Sequence, residues 1–165
     1  MNYYVLFCQT VRTEKVCQIL NKKDGLHAFI PKMEVYIHIN GNIDLKTMFP
    51  GYLFIKTKMN QLEFSSFILS LDEEKKGIIK ELKKQDVSAL SDDEIKLFEH
   101  LLDKKGILRM SEGFKQNGIT RVISGPLIHF ENCIVDTNKR DRIAVLNINF
   151  LGRSIKAGIK FKQNK

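Results

Sequence analysis

The chain has 165 residues, 43% of them hydrophobic and 28% charged, a composition that suits one soluble domain of ordinary size or two small ones. No apolar run approaches the ~20 residues needed to cross a bilayer. Met1-Asn2-Tyr3-Tyr4 lacks the basic head and small-residue cleavage site of a signal peptide, so the expected location is the cytoplasm, with no membrane partner.

The net charge of +8 is unevenly distributed. Residues 1–105 carry 16 Lys or Arg against 15 Asp or Glu, whereas residues 106–165 carry 11 against 4. A small, strongly basic C-terminal part suits nucleic acid, although a solvated basic rim has the same composition. The three cysteines (Cys8, Cys17, Cys133) have no Cys-x-x-Cys spacing, and the four histidines are scattered. We therefore expect small buried thiols, no metal site and no cofactor. No Ser/His/Asp or Cys/His set, carboxylate pair or phosphate-binding loop stands out, which argues against an enzyme.

Taken in order, Tyr3 to Cys8 is almost continuously apolar and predicts a central strand covered on both faces. Thr10 or Thr13 is positioned to cap a helix in which Val16, Ile19 and Leu20 recur at helical spacing, ending near Asp24-Gly25. Residues Ala28 to Ile39 read as a second strand, alternating cleanly from Met33, and Asn40-Gly41 predicts a type I′ hairpin into Ile43 and Leu45. Phe49-Pro50-Gly51 forms a corner before the strand Tyr52-Leu53-Phe54-Ile55. Asn60 and Glu63 open a second helix with Phe64, Phe67, Ile68 and Leu71 inward, and Gly77-Ile78-Ile79 suggests a short edge strand. Ser91 to Glu94 is a capping box for a third helix carrying Ile95, Phe98, Leu101 and Leu102, closed by Lys104-Lys105-Gly106.

Beyond Gly106 the pattern changes to short strands (119–124, 133–136, 143–148 and 154–161) separated by turn pairs, which predicts a small barrel. The expected fold class is therefore α+β: an N-terminal antiparallel sheet flanked by helices over 1–105, a linker at 106–113, and a C-terminal β-barrel over 114–165. The glycines at 118, 125, 152 and 158, with Pro126, disfavour any helical refolding of that barrel.

Phe49-Pro50-Gly51-Tyr52 entering a buried strand, Gly125-Pro126-Leu127-x-x-Phe130 ahead of Ile134-Val135, and Phe150-Leu151-Gly152-Arg153 together resemble the NusG family of bacterial transcription elongation factors. The resemblance runs over nearly the whole chain: an NGN domain followed by an SH3-like KOW domain. It implies docking of the first domain on the clamp helices of RNA polymerase. The motif match points to Phe49 and Tyr52; the strand and helix reading adds Tyr4, Phe54 and Phe67 as neighbours, with plain core the favoured reading for Phe54 and Phe67.

Three departures bear on the KOW partner. The contact loop carries Leu151 before Gly152, with Phe150 one place early, so the protein-binding aromatic is displaced or lost. A usual glycine is Asn132, which should tolerate the positive φ expected there. The hairpin before Phe49 is short and lacks a long basic loop. These features look like a specialised paralogue such as the LoaP antiterminators, whose KOW domain is associated with structured nascent RNA. Lys139, Arg140, Arg142 and Arg153 at turns, with Arg121, Lys156, Lys160 and Lys162 on strands, are the candidate phosphate and base contacts, although Arg153 also fits a structural role in its turn. The competing expectation is a housekeeping factor whose KOW domain binds a ribosomal protein or a termination factor. In either case the resemblance implies a monomer acting by binding.

Overall fold

The computed structural model describes residues 1–84, 87–88 and 90–163. In chain order the elements are β1 (Asn2–Cys8), α1 (Thr13–Asn21), β2 (Leu26–Phe29), β3 (Lys32–Ile37), β4 (Asn42–Thr47), β5 (Tyr52–Thr57), α2 (Gln61–Ser70), β6 (Ile78–Lys84), β7 (Val87–Ser88) and α3 (Asp92–Leu101). They are followed by β8 (Ile107–Leu108), β9 (Ser111–Gln116), β10 (Ile119–Ser124), β11 (Ile134–Asn138), β12 (Ile143–Phe150) and β13 (Arg153–Phe161). The fold is α+β. Two compact units divide the chain: unit 1 is Met1–Pro31 with Phe49–Lys96, and unit 2 is Lys32–Met48 with Leu97–Lys165.

In unit 1 the sheet order is β2-β5-β1-β6-β7, which gives β1 the central place that its apolar run predicts. Tyr4, Leu6 and Cys8 of β1 share one face with Leu53 and Ile55 of β5, and on that face they are buried with Val16, Leu20 and Phe64 of the helices. The α2 start is a complete capping box: Asn60 Oδ1 accepts the Glu63 N–H at 2.8 Å, and the Glu63 carboxylate accepts the Asn60 N–H at 2.8 Å. The start of α1 differs from expectation. A 3-10 turn over Thr10–Arg12 leads into it, and the Thr13 hydroxyl donates to the Gln9 carbonyl at 3.0 Å instead of capping the helix. Strand β6 is also longer than expected and sits between β1 and β7, not at an edge.

The predicted strand over 28–39 is two strands, β2 and β3, in different units. Pro31 lies between them and has no N–H to contribute to a ladder. The hairpin that follows does pair β3 with β4, from Lys32↔Thr47 to Ile37↔Asn42. Its turn is not type I′, which needs positive φ at both central residues. Gly41 has φ +70° and Asn40 does not share that region, and the Gly41 N–H closes a wider loop onto the Ile37 carbonyl at 2.8 Å.

Unit 2 holds two sheets, ordered β10-β9-β13-β12-β11 and β4-β3-β8. The core of the five-stranded sheet is Ala144, Leu146, Phe150, Ile155, Ala157 and Ile159, all at most 1% exposed. Phe98 of α3 stacks on Phe150 at 4.6 Å between ring centroids, with the planes 12° apart. Gly158 marks where the hairpin lies against β13: a Cβ there would come within 2.9 Å of the Glu34 carbonyl oxygen and 2.6 Å of Met110 Sδ. Glu34 reinforces the contact, its Oε1 accepting the Met110 N–H at 2.7 Å.

The segment expected as a linker, 106–113, carries β8 and the first residues of β9. Asn117 (φ +53°) and Gly118 (φ +78°) supply the two left-handed residues of a tight turn joining β9 to β10. Leu151 and Gly152 do the same between β12 and β13. Asn132 does not adopt the expected positive φ. It lies in a 3-10 turn, Glu131–Cys133, entered through Cys133 N–H donating to the Phe130 carbonyl at 2.9 Å.

Candidate nucleic-acid interface

Alternation along β13 sorts its side chains. Ile155, Ala157 and Ile159 are buried, while Lys156, Lys160 and, just past the strand end, Lys162 are exposed. Gly158 lies under the hairpin on the lysine face and separates Lys156 from the other two. At ~3.3 Å per residue, Lys156 and Lys160 are roughly 13 Å apart along the strand. The far pair joins a recess of about 560 Å³ lined by Lys115, Lys139, Arg142, Lys160, Phe161, Lys162 and Gln163. Among the described residues no carboxylate lines it.

Each wall is held by main-chain and ring contacts. The Ile159 N–H donates to the Arg142 carbonyl and the Lys162 N–H to the Gly113 carbonyl, both at 2.8 Å. Arg142 has φ +56°, a region an arginine enters only when its surroundings enforce it. The guanidinium of Arg142 stands 3.8 Å above the Tyr36 ring centroid, a stacking geometry that Arg adopts more readily than Lys. One residue earlier, Asp141 pairs with His38 Nε2 at 2.8 Å and accepts from Asn138 Nδ2 at 2.9 Å. The hairpin thus grips the β11–β12 turn at Tyr36 and His38. Lys115 and Lys139 each place an ammonium 5.8 Å from the Phe161 ring centroid. Lys162 pairs with Glu112 at 2.8 Å, and that hydrogen bond holds the Glu112 carboxyl below the usual glutamate range.

Of the eight basic residues expected at the interface, the structure brings Lys139, Arg142, Lys160 and Lys162 together. Arg140 is exposed on the adjoining turn but does not line the recess, and Lys156 lies beyond Gly158. Arg153 is exposed at the start of β13, opposite Phe150 in the ladder. Arg121 is engaged elsewhere: its guanidinium meets Glu131 at 2.9 Å, and Glu131 also accepts the Val122 N–H at 2.7 Å. The Val122 N–H first, then Arg121, lower the Glu131 pKa. Lys115 and Phe161 were not anticipated. The signal for Lys115 was the Asn117-Gly118 turn, which requires a strand on its N-terminal side as well as its C-terminal one.

The five aromatic residues expected to meet a protein partner do not share one surface. Phe54 and Phe49 are buried, at 0% and 3% exposure, with ring centroids 6.1 Å apart. Tyr52 is half-buried on the same sheet face, 5.3 Å from Phe7. Tyr4 belongs to the opposite, helix-covered face: it stacks on Phe64 at 4.2 Å and its hydroxyl donates to the Met59 carbonyl at 2.7 Å. Burial first, then Glu81, raises its pKa. Phe67 packs beside Phe64 on that same side, at 6.5 Å, and is half-buried. At the β12–β13 turn Phe150 points into the core, leaving the half-exposed Leu151 at the tip.

Among the described residues there is no grouping of His, Cys, Asp and Glu able to hold a metal ion, and no helix is long and apolar enough to cross a membrane. In comparison with known protein families, the model described as transcription termination factor nusG matches residues 1–99. A search of curated proteins finds no match.

Proposed function

The chain belongs to the NusG family, and on that premise we propose that it is a transcription elongation factor of the antiterminating kind, which binds RNA polymerase through unit 1 and nucleic acid through the basic recess of unit 2. It acts by binding, without chemistry of its own. The observation that carries the nucleic-acid half is the convergence of five cations, one of them (Lys162) paired with Glu112, on one recess with no acidic residue among its described lining. Concentrated positive charge in a concave site attracts polyanions and raises their local concentration.

For the polymerase half we propose docking on the sheet face that carries Tyr52, with the clamp helices as the partner surface. Tyr52 and Phe7 are half-buried neighbours there, the exposure expected of interface anchors. Phe49 and Phe54 then act from beneath, as the floor that sets the Tyr52 position. In unit 2 we propose a KOW domain of the specialised, LoaP-like type, whose target is structured nascent RNA. The burial of Phe150 favours this over a ribosomal or termination-factor partner, because the turn then offers Leu151 in place of an aromatic anchor.

The test is fluorescence anisotropy of the full chain against hairpin RNA, matched single strands and duplex DNA over a salt series. Binding of RNA with log K falling by about 2–3 per decade of salt fits three to four phosphates neutralised. Replacing Arg142 and Lys160 together by alanine should weaken binding and flatten that slope, whereas replacing Arg121 should not. Salt-independent or undetectable binding would refute the nucleic-acid half. Retention of polymerase binding by a Tyr52→Ala variant would refute the other.

A further inference from the structure

Resting on that nucleic-acid reading, we propose that the recess of unit 2 receives an unpaired nucleotide, its base against Phe161 and its flanking phosphates on Lys139 and Lys160. A volume of about 560 Å³ is the scale of a pocket that engulfs a small ligand. A duplex turns its bases inward and presents a broad convex backbone, so it would bridge the rim of such a recess without filling it. A single strand can turn one base in.

The lining residues match that shape. Phe161 is half-buried and brings a ring with no hydrogen-bonding group, which suits base stacking because every base has a π-face. The ammonium groups of Lys115 and Lys139, each 5.8 Å from the ring centroid, stand where they can turn from the ring to phosphates beside a stacked base. The backbone under Phe161 is fixed by its pairing with Gly113 and by the Lys162 N–H bond to the Gly113 carbonyl. Nearby acids are engaged: Glu112 with Lys162, and Asp141 with His38 and Asn138. The ring of Tyr36 holds the Arg142 guanidinium at the wall. A second basic recess, in unit 1, makes the contrast. Arg12, Lys15, Lys22, Lys23 and Lys76 line it together with Glu73 and Glu74, Glu74 pairs with Lys23, and among the described residues no aromatic side chain lines it.

The experiment titrates the full chain with three labelled RNAs carrying equal phosphate counts: a single strand, a hairpin with an open loop, and a blunt duplex. The single strand and the looped hairpin should bind at least about tenfold more tightly than the duplex, and Phe161→Leu should remove about tenfold from the first two alone. The Phe161→Trp variant introduces the only tryptophan into a chain that has none. It should retain single-strand affinity, and its fluorescence should be quenched by the single strand and not by the duplex. Lys22→Ala, in the unit 1 recess, should change nothing. Equal affinity for all three RNAs, or an indole that the single strand leaves unquenched, would overturn the inference while leaving the nucleic-acid reading in place. Failure of the unaltered chain to bind any of the three would overturn both.

Discussion

Replacing Glu34 by alanine removes a side chain that joins the hairpin to the segment entering β9. Its Oε1 accepts the Met110 N–H at 2.7 Å, and its Oε2 lies 3.6 Å from Arg109. A hydrogen bond to a charged acceptor contributes about 1.5–3 kcal/mol, and most of that is lost when the partly buried N–H is left without a partner. The Arg109 contact adds little. It is long and partly solvated, and Arg109 already pairs with Asp103 at 2.7 Å. The expected cost of Glu34→Ala is therefore about 2 kcal/mol. Glu34→Gln keeps an oxygen acceptor for the Met110 N–H and should cost only about 0.5 kcal/mol. Urea unfolding followed through the amide signals of β12 and β13 reports unit 2. With a slope of about 1–1.5 kcal/mol/M, the alanine variant should lower the midpoint by about 1.5 M and the glutamine variant by less than about 0.5 M. If both variants fall equally, the charge matters and the hydrogen bond does not. If neither moves, the hairpin contributes nothing to unit 2 through Glu34, and the reasoning fails.

Asn60→Ala should destabilise unit 1 by about 1 kcal/mol through loss of the capping box; an unchanged thermal midpoint would refute it. The Cys8 thiol is pushed up to about 12, by burial first and then by Cys17, so iodoacetamide at pH 8 should modify the half-exposed Cys133 well before Cys8 in the native protein. Rapid native labelling at Cys8, read by mass spectrometry, would contradict its burial. Glu131 has a depressed pKa in the folded chain, so its contribution to stability is present above the unfolded value of about 4.3 and disappears as pH falls through the folded value. Glu131→Gln should therefore be less stable than the unaltered chain at pH 7, with the difference closing below about pH 4; a constant difference would show that protonation is not involved.

Much of this architecture was legible from local chemistry. Strand β10 begins and ends where Ile119 to Ser124 predicts, because β-branched residues lie between two turn pairs with no competing signal. The capping boxes at Asn60 and Ser91 located two helix starts, since Asn and Ser followed three residues later by Glu satisfy the first free N–H groups. Strand β9 was missed because Ser-Glu-Gly-Phe-Lys-Gln carries no β-branched residue; its strand identity comes from partners on both sides, β10 and β13. Lys115 was hidden with it. The apolar run Ala28-Phe29-Ile30 leads straight into the alternation that begins at Met33, and this concealed the division between β2 and β3 at Pro31. For Phe49 the motif pointed to a docking contact, and only packing against Phe54 reveals that the ring is buried. Cations at turns are easy to read from sequence, but which of them converge depends on strand register. For that reason Arg140 and Lys156 looked equivalent to Arg142 and Lys160.

The interleaving of the two units has a consequence for synthesis on the ribosome. The hairpin of β3 and β4 is complete at Thr47, but its parallel partner β8 begins at Ile107. At 5–20 residues per second, that partner follows about 3–12 s later. During that interval the hairpin must wait outside the exit tunnel while the second segment of unit 1, Phe49–Lys96, is synthesised. Its folded state already exposes Ile39, Ile43 and Leu45, at 98%, 43% and 45%, so the waiting ribbon presents apolar side chains beside an edge that β8 has not yet paired. Slower translation between codons 48 and 107 lengthens that exposure, and synonymous changes there would alter the yield of soluble protein without altering a single residue.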